Sequence, residues 1–177
     1  MTDQLEVEKP LDALKARLAK NPGVVLETLQ EHYPFNMKQI IEALPQETWK
    51  RIDGEHYIPV LQQLSSLGSV LLVTNTPDAV LEFKGPFPPG ELSHGFYNLK
   101  GTVPGLHGHL RPNRCESVYF VERPFMKRST ASILFTNPEG EIIFKIFLGR
   151  DETGEICAKQ LKVFHAMAQL QFGGAAA

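Results

Sequence analysis

Cysteine, tryptophan and long apolar runs are scarce in this 177-residue chain, which has two cysteines and one tryptophan. Cys115 and Cys157 form no CxxC pair and no metal-binding spacing, which argues against a zinc ribbon or a dithiol redox centre and suits reduced thiols. The longest aliphatic run, residues 70–73, is far below the roughly 20 residues that a spanning helix needs. The first ten residues are acidic and polar, without the basic start and apolar stretch of a secretory signal, so the chain is expected in the cytosol and not at a membrane. Positive charge is not in excess either. The net charge of −2 argues against general nucleic-acid binding. Catalytic constellations are also missing: Ser129, Thr130 and Ser132 lack a nucleophile elbow, and neither cysteine has a histidine beside it in sequence. The run Gly85-Pro-Phe-Pro-Pro-Gly90 is too rich in proline to cradle a phosphate, and Glu139 and Glu141 flank a turn as solvated acids.

What is present is an ordinary globular composition, 42% hydrophobic and 21% charged, enough for one well-buried core. Leu11, Leu14 and Leu18 recur at helical spacing until Asn21-Pro22-Gly23 stops them. A second amphipathic segment follows at 25–32. Asn36 can cap a third, which carries Met37, Ile40, Ile41 and Leu44 up to Pro45. The two short segments about His32-Tyr-Pro-Phe35 have a helix-turn-helix look, but Lys38 is the sole cation of the would-be recognition helix. Packing explains the segments better than DNA reading. Residues 49–67 read as a turn and a helix at 58–64.

From 69 onward the pattern changes to β-branched and aromatic residues punctuated by Pro, Gly and Asn. Strands are expected at 70–75, 79–84, 94–100, 108–111, 117–123, 129–136 and 141–148. Connections this short cannot hold parallel crossovers, so the sheet is a mainly antiparallel meander. A closing helix is expected at 151–171, with Ile156, Gln160, Val163, Phe164, Met167 and Leu170 on one side. The fold class is α+β in one domain over 1–177: short N-terminal helices at 1–50, a large antiparallel sheet at 69–150, and a C-terminal helix packed on it.

The chemistry gathers in residues 100–128, where Lys100, Arg111, Arg114, Arg123, Lys127 and Arg128 face only Glu116 and Glu122. That local excess of four in a chain of total −2 leaves −6 elsewhere, and such a window marks a face that meets an anion. Among these cations lies Gly105-Leu106-His107-Gly108-His109, and Tyr119 follows. Imidazole and phenol can hold a metal. An anionic ligand with a metal centre and a large apolar body would use all three features, which points to haem.

His107 and His109 share a face if they lie on one strand, but no third zinc ligand follows at a matching spacing. The plainer alternative is an exposed, glycine-flanked turn. As a haem contact His109 is favoured, because Leu110-Arg111 follows it directly and sets a cation near the iron. Tyr119 sits mid-strand with Ser117 and Val121 on its face. It is either a core residue or a phenolate ligand to ferric haem, with Arg111 or Arg123 close enough to stabilise the oxygen. Phe96, Phe120, Phe125 and Leu106 are candidate apolar walls. His94 is a lesser candidate, and His32, His56 and His165 read as structural.

Several segments carry a resemblance to a known family: Pro77-Asp-Ala-Val-Leu-Glu-Phe-Lys-Gly85, His94-Gly-Phe-Tyr-Asn-Leu-Lys-Gly101, Gly108-His109 and Val121-Glu-Arg-Pro-Phe-Met126. Stronger still are Thr130-Ala-Ser-Ile-Leu-Phe-Thr-Asn-Pro-Glu-Gly140 and Ile143-Phe-Lys-Ile-Phe-Leu-Gly-Arg-Asp151. Together they resemble the HutX/ChuX family of cytosolic haem-utilisation carriers over about residues 22–170. The resemblance implies a homodimer built on a saddle-like antiparallel sheet, related to half of the duplicated HemS/ChuS-type proteins. It implies reversible haem binding and delivery to a haem-degrading enzyme of the HutZ type. It carries over His109 as the haem-contacting histidine. Asn75 stands where some relatives offer a histidine and cannot ligate iron, which shifts weight to Tyr119 or a water as the other axial partner. Lys127-Arg128 departs from the small or acidic residues of relatives and adds local positive charge. Alternatives to a carrier are an enzyme that cleaves haem or, more remotely, a haem-responsive regulator that uses the N-terminal helices on DNA.

Overall fold

The computed structural model describes residues 9–102 and 104–173. Its centre is a six-stranded antiparallel sheet in the order β1-β7-β8-β9-β2-β3, formed by β1 (Trp49–Asp53), β2 (Ser69–Asn75), β3 (Val80–Pro86), β7 (Ser117–Phe125), β8 (Arg128–Thr136) and β9 (Ile142–Phe147). A second sheet has the order β4-β5-β6, from β4 (Gly90–Ser93), β5 (Phe96–Leu99) and β6 (Gly108–Leu110). Among the described residues four α-helices accompany them: α1 (Pro10–Lys20), α2 (Met37–Glu42), α3 (Tyr57–Leu64) and α4 (Ala158–Ala168). The α+β architecture with one dominant antiparallel sheet is therefore as expected.

Proline explains why the strands split into two sheets. Pro86, Pro88 and Pro89 have no N–H to give to a ladder, so the chain leaves the large sheet after β3. Phe87, only 1% exposed, drops into the core and stacks on Phe144 at 6.4 Å. The chain then resumes as the β4–β5 hairpin. The strands expected at 94–100 and 108–111 consequently belong to the small sheet.

Over β7 and β8 both faces of the large sheet are covered, by different layers. On one face Val118, Phe120, Ile133, Phe135, Phe144 and Ile146 pack with α3, α4 and the inner residues Tyr97 and Leu99 of the small sheet. On the other, Tyr119, Val121 and Leu134 pack under Leu14, Leu18, Leu29, Ile40 and Ile41 of the N-terminal helical layer. Period-2 alternation assigns β7 residues to the two faces, and here both faces are dry.

Local chemistry sets the helix ends. Asn36 Oδ1 accepts from the Gln39 N–H at 2.9 Å while the Asn36 N–H donates to Gln39 Oε1 at 3.0 Å, a reciprocal cap for α2. The segment expected at 25–32 is a 3₁₀ turn, Leu26–Glu31. Lys38 is held by Glu116 at 3.3 Å, so the would-be recognition helix offers no free cation. The closing helix starts at Ala158, not at 151. Asp151 Oδ1 instead accepts from the backbone N–H groups of Thr153 (2.8 Å) and Glu155 (3.2 Å), and Gly154 sits at φ +82°, giving the backbone a turn in place of a helical start. At the tip of the β7–β8 hairpin, Met126 and Lys127 both adopt left-handed backbone, φ 48° and 62°.

Candidate functional site

The small sheet presents one face inward and one outward. Its register places Asn98 directly opposite both Glu91 and His109, and Phe96 opposite Ser93. Tyr97 and Leu99 point into the core, so Phe96, Asn98 and His109 must point out. His109 is exposed. Its Nδ1 lies 2.6 Å from Asn98 Oδ1, and the Phe96 ring meets the imidazole edge-on at 5.9 Å between centroids. The Arg111 guanidinium sits over the Phe96 ring, 5.1 Å from its centroid. A shallow hollow of about 390 Å³ adjoins this platform, lined by Leu92, His94, Phe96, Pro112 and Asn113 among others. His94 is held at the hairpin turn with φ 54°, its Nδ1 2.7 Å from Ser93 Oγ.

The tautomer of the neutral His109 ring follows from its neighbour. Asn98 Nδ2 lies 3.0 Å from Ser93 O, 3.3 Å from Phe96 O and 3.4 Å from Glu91 O. Only an amide N–H₂ fits among three carbonyls, so the oxygen of Asn98 faces His109. Nδ1 must then donate, so in the neutral ring Nε2 is the nitrogen with the free lone pair, and it has no partner among the described residues. The chemistry of that set suits a metal-centred planar anion: an imidazole nitrogen with a free lone pair, an aromatic wall and a cation on one exposed face.

The other sequence candidates fall elsewhere. His107 is exposed in the loop before β6, so the shared-face argument that pairs it with His109 does not apply. No cluster of three His, Cys, Asp or Glu able to hold a bare metal ion occurs among the described residues. Tyr119 is fully buried beneath the N-terminal layer, and its hydroxyl donates to Glu42 Oε1 at 2.6 Å. Burial, with the Glu42 carboxylate beside it, pushes its phenol well above the usual tyrosine range, so the phenolate needed for ligation is disfavoured. Arg123 is likewise turned inward. Its guanidinium donates to Pro22 O (2.8 Å) and Val24 O (2.7 Å), and desolvation lowers its pKa. Phe120 is a core residue against Phe164, and Leu106 packs on the same core.

The cationic window therefore does not form one patch. Arg114 pairs with Glu139, Lys127 and Arg128 lie at the β7–β8 tip, and Lys100 pairs with Glu91 on the outward face of the small sheet. Arg111 and Lys100 are the members that accompany His109. No local motif marks Asn98; only the β5–β6 register brings it under the imidazole.

A deeper concavity lies on the large sheet. The helical layer covers the β1, β7 and β8 side and leaves β9, β2 and β3 open, forming a groove of about 620 Å³. Leu71, Val73, Asn75, Lys84, Lys145 and Phe147 line it, with Phe125 and Met126 among its other lining residues. Asn75 is thus a groove residue, and among the described residues no histidine lines the groove. Lys145 is held by Glu27.

The sequence profile described as "Haem utilisation ChuX/HutX" matches residues 50–167. This chain belongs to the ChuX/HutX haem-utilisation family. The matched region includes the small sheet and its outward platform. The intracellular haem transport protein HutX of Vibrio cholerae serotype O1 is 34% identical over 167 residues, covering 92% of this chain and 86% of that protein. The solved structure of the haem-binding protein ChuX superposes with a TM-score of 0.79 at 34% identity, covering 89% of this chain and 97% of that one. Holo-PhuS of Pseudomonas aeruginosa shares the fold at 14% identity and a TM-score of 0.71; 98% of this chain matches 49% of that one. This chain thus corresponds in fold to about half of that longer protein.

Proposed function

We propose that this chain is an intracellular, non-enzymatic haem carrier that binds haem reversibly through His109 on the outward face of the small sheet and passes it to a haem-degrading enzyme. The observation that carries the reading is the His109–Asn98 contact, which makes Nε2 the nitrogen free to bind a metal in the neutral imidazole on an exposed strand. Phe96 would wall one side of the porphyrin, and Arg111 would pair with a propionate. An open platform suits a carrier, because a buried ligand leaves slowly. With Tyr119 committed to Glu42 beneath the helices, the second axial position falls to water or to a group of the acceptor. The names of the V. cholerae relative and of ChuX support haem as the cargo and the cytosol as the compartment. Correspondence with half of PhuS supports a homodimer that doubles the sheet.

Titration of the apoprotein with hemin, followed by visible and resonance Raman spectra, tests the proposal. A 1:1 complex with an iron–imidazole signature that disappears in His109→Ala is expected. Identical spectra for wild type and variant would sink the assignment. Under ascorbate and oxygen the Soret band should persist; its conversion to a linear tetrapyrrole would make the protein an enzyme.

A further inference from the structure

We infer that Asn98 is a positioning residue that selects the ligating tautomer of His109 and fixes the plane of its ring. The inference rests on the proposed role of His109 and goes one shell beyond it. A neutral histidine can carry its proton on either nitrogen, and the hydrogen bond made by one nitrogen decides which is free for a metal. In water that choice is left open. Here the backbone makes it: Asn98 and His109 are cross-strand partners, so the amide and the imidazole are brought together by register and not by loop geometry.

The amide itself cannot turn over. Rotation of Asn98 by 180° would place its oxygen against Ser93 O, Phe96 O and Glu91 O, three carbonyls with no proton to share. Asn98 Oδ1 is therefore a fixed acceptor, Nδ1 of His109 is a fixed donor, and Nε2 is the free nitrogen. Phe96 supplies the second restraint. Its ring lies at 68° to the imidazole, and Arg111 rests over that same ring, so rotation of His109 about its side-chain bonds meets an anchored aromatic edge. The acceptor is also chemically informative. A neutral amide withdraws less proton character from Nδ1–H than a carboxylate does, which leaves Nε2 a moderate donor, suited to a cargo that must be surrendered.

The test begins without haem. In wild-type apoprotein labelled with ¹⁵N-histidine, the ring nitrogen shifts of His109 should show Nδ1 protonated and Nε2 bare. In Asn98→Leu, which keeps the branching at Cγ but offers no acceptor, the signals should move toward the Nε2–H form. Asn98→Ala serves the same purpose if the leucine variant fails to fold by circular dichroism. An Nε2–H signature in the wild type, or an unchanged tautomer in the variants, would overturn the inference. The second arm measures hemin affinity, which should weaken about tenfold in Asn98→Leu, with broadened iron–imidazole Raman bands. If His109→Ala alters the spectrum and Asn98→Leu does not, the role of Asn98 is refuted while His109 stands. If neither variant alters it, the reading of His109 as ligand is what has failed.

Discussion

Replacing Tyr119 with phenylalanine separates two readings of that residue, as a ligand reaching for iron and as a buried tie between layers. The hydroxyl donates to Glu42 Oε1 at 2.6 Å from a side chain with 0% exposure. A hydrogen bond to a charged acceptor contributes roughly 1.5–3 kcal/mol. Glu42 is only half-buried, so water can partly replace the lost donor, and the ring itself stays packed. The expected loss is about 2 kcal/mol. For a chain of this size that corresponds to a fall in Tm of about 4–8 °C. Differential scanning calorimetry of Tyr119→Phe reads it, alongside the visible spectrum of the hemin complex. The spectrum should match wild type, because the phenol lies under α1 and α2, away from the proposed site on the small sheet. A changed ferric spectrum with an unchanged Tm would refute the argument and return Tyr119 to the iron.

Arg123→Ala should cost about 3 kcal/mol, since it strands the Pro22 and Val24 carbonyls, and it should expose residues 21–25 to limited proteolysis; a wild-type digestion pattern would refute the clasp. Native protein should show one readily modified thiol, the half-buried Cys157, while Cys115, buried and pushed up to about 12, reacts only after unfolding; two thiols reacting at equal rates in Ellman's assay would contradict this. Stability should hold up to about pH 9 and fall above it, because the unfolded chain releases the Cys115 proton near 9 while the folded chain keeps it to about 12. Tyr57 and Tyr119, both raised by burial, steepen the decline above pH 10, each such group contributing about 1.4 kcal/mol per pH unit. Urea midpoints that stay level from pH 8 to 11 would rule this out.

Where a local signal and the tertiary outcome agree, the sequence is readable. Asn36 caps α2 because an Asn before an apolar helical run has few better uses, and β7 to β9 follow from dense β-branched and aromatic alternation. β1 is not legible locally, because Trp49–Asp53 buries only Ile52 fully, so its pattern carries little periodicity and its pairing with β7 decides the matter. The start of α4 was obscured by Asp151, whose side chain competes with the helix for the same backbone donors. The site divides in the same way. His109 and Arg111 were visible as residue types in a basic window. The inward turns of Tyr119 and Arg123 depended on a helical layer more than 70 residues away in sequence, which composition cannot register. Asn98 became visible only once two strands were aligned.

Met126 and Lys127, the pair in left-handed conformation at the β7–β8 tip, leave the molecule with a removable strain. Left-handed backbone costs an L-residue other than glycine about 1–2 kcal/mol, and Asn-Gly adopts such a two-residue reversal with little penalty. That exchange leaves the Phe125–Arg128 closing pair and every ladder bond below it in place, so a gain of about 1 kcal/mol in stability is the expected outcome of thermal melts. Yet Met126, 79% exposed, also lines the open groove. Thermostability and the furnishing of that entrance are therefore coupled at a single hairpin, and engineering toward one will be felt in the other.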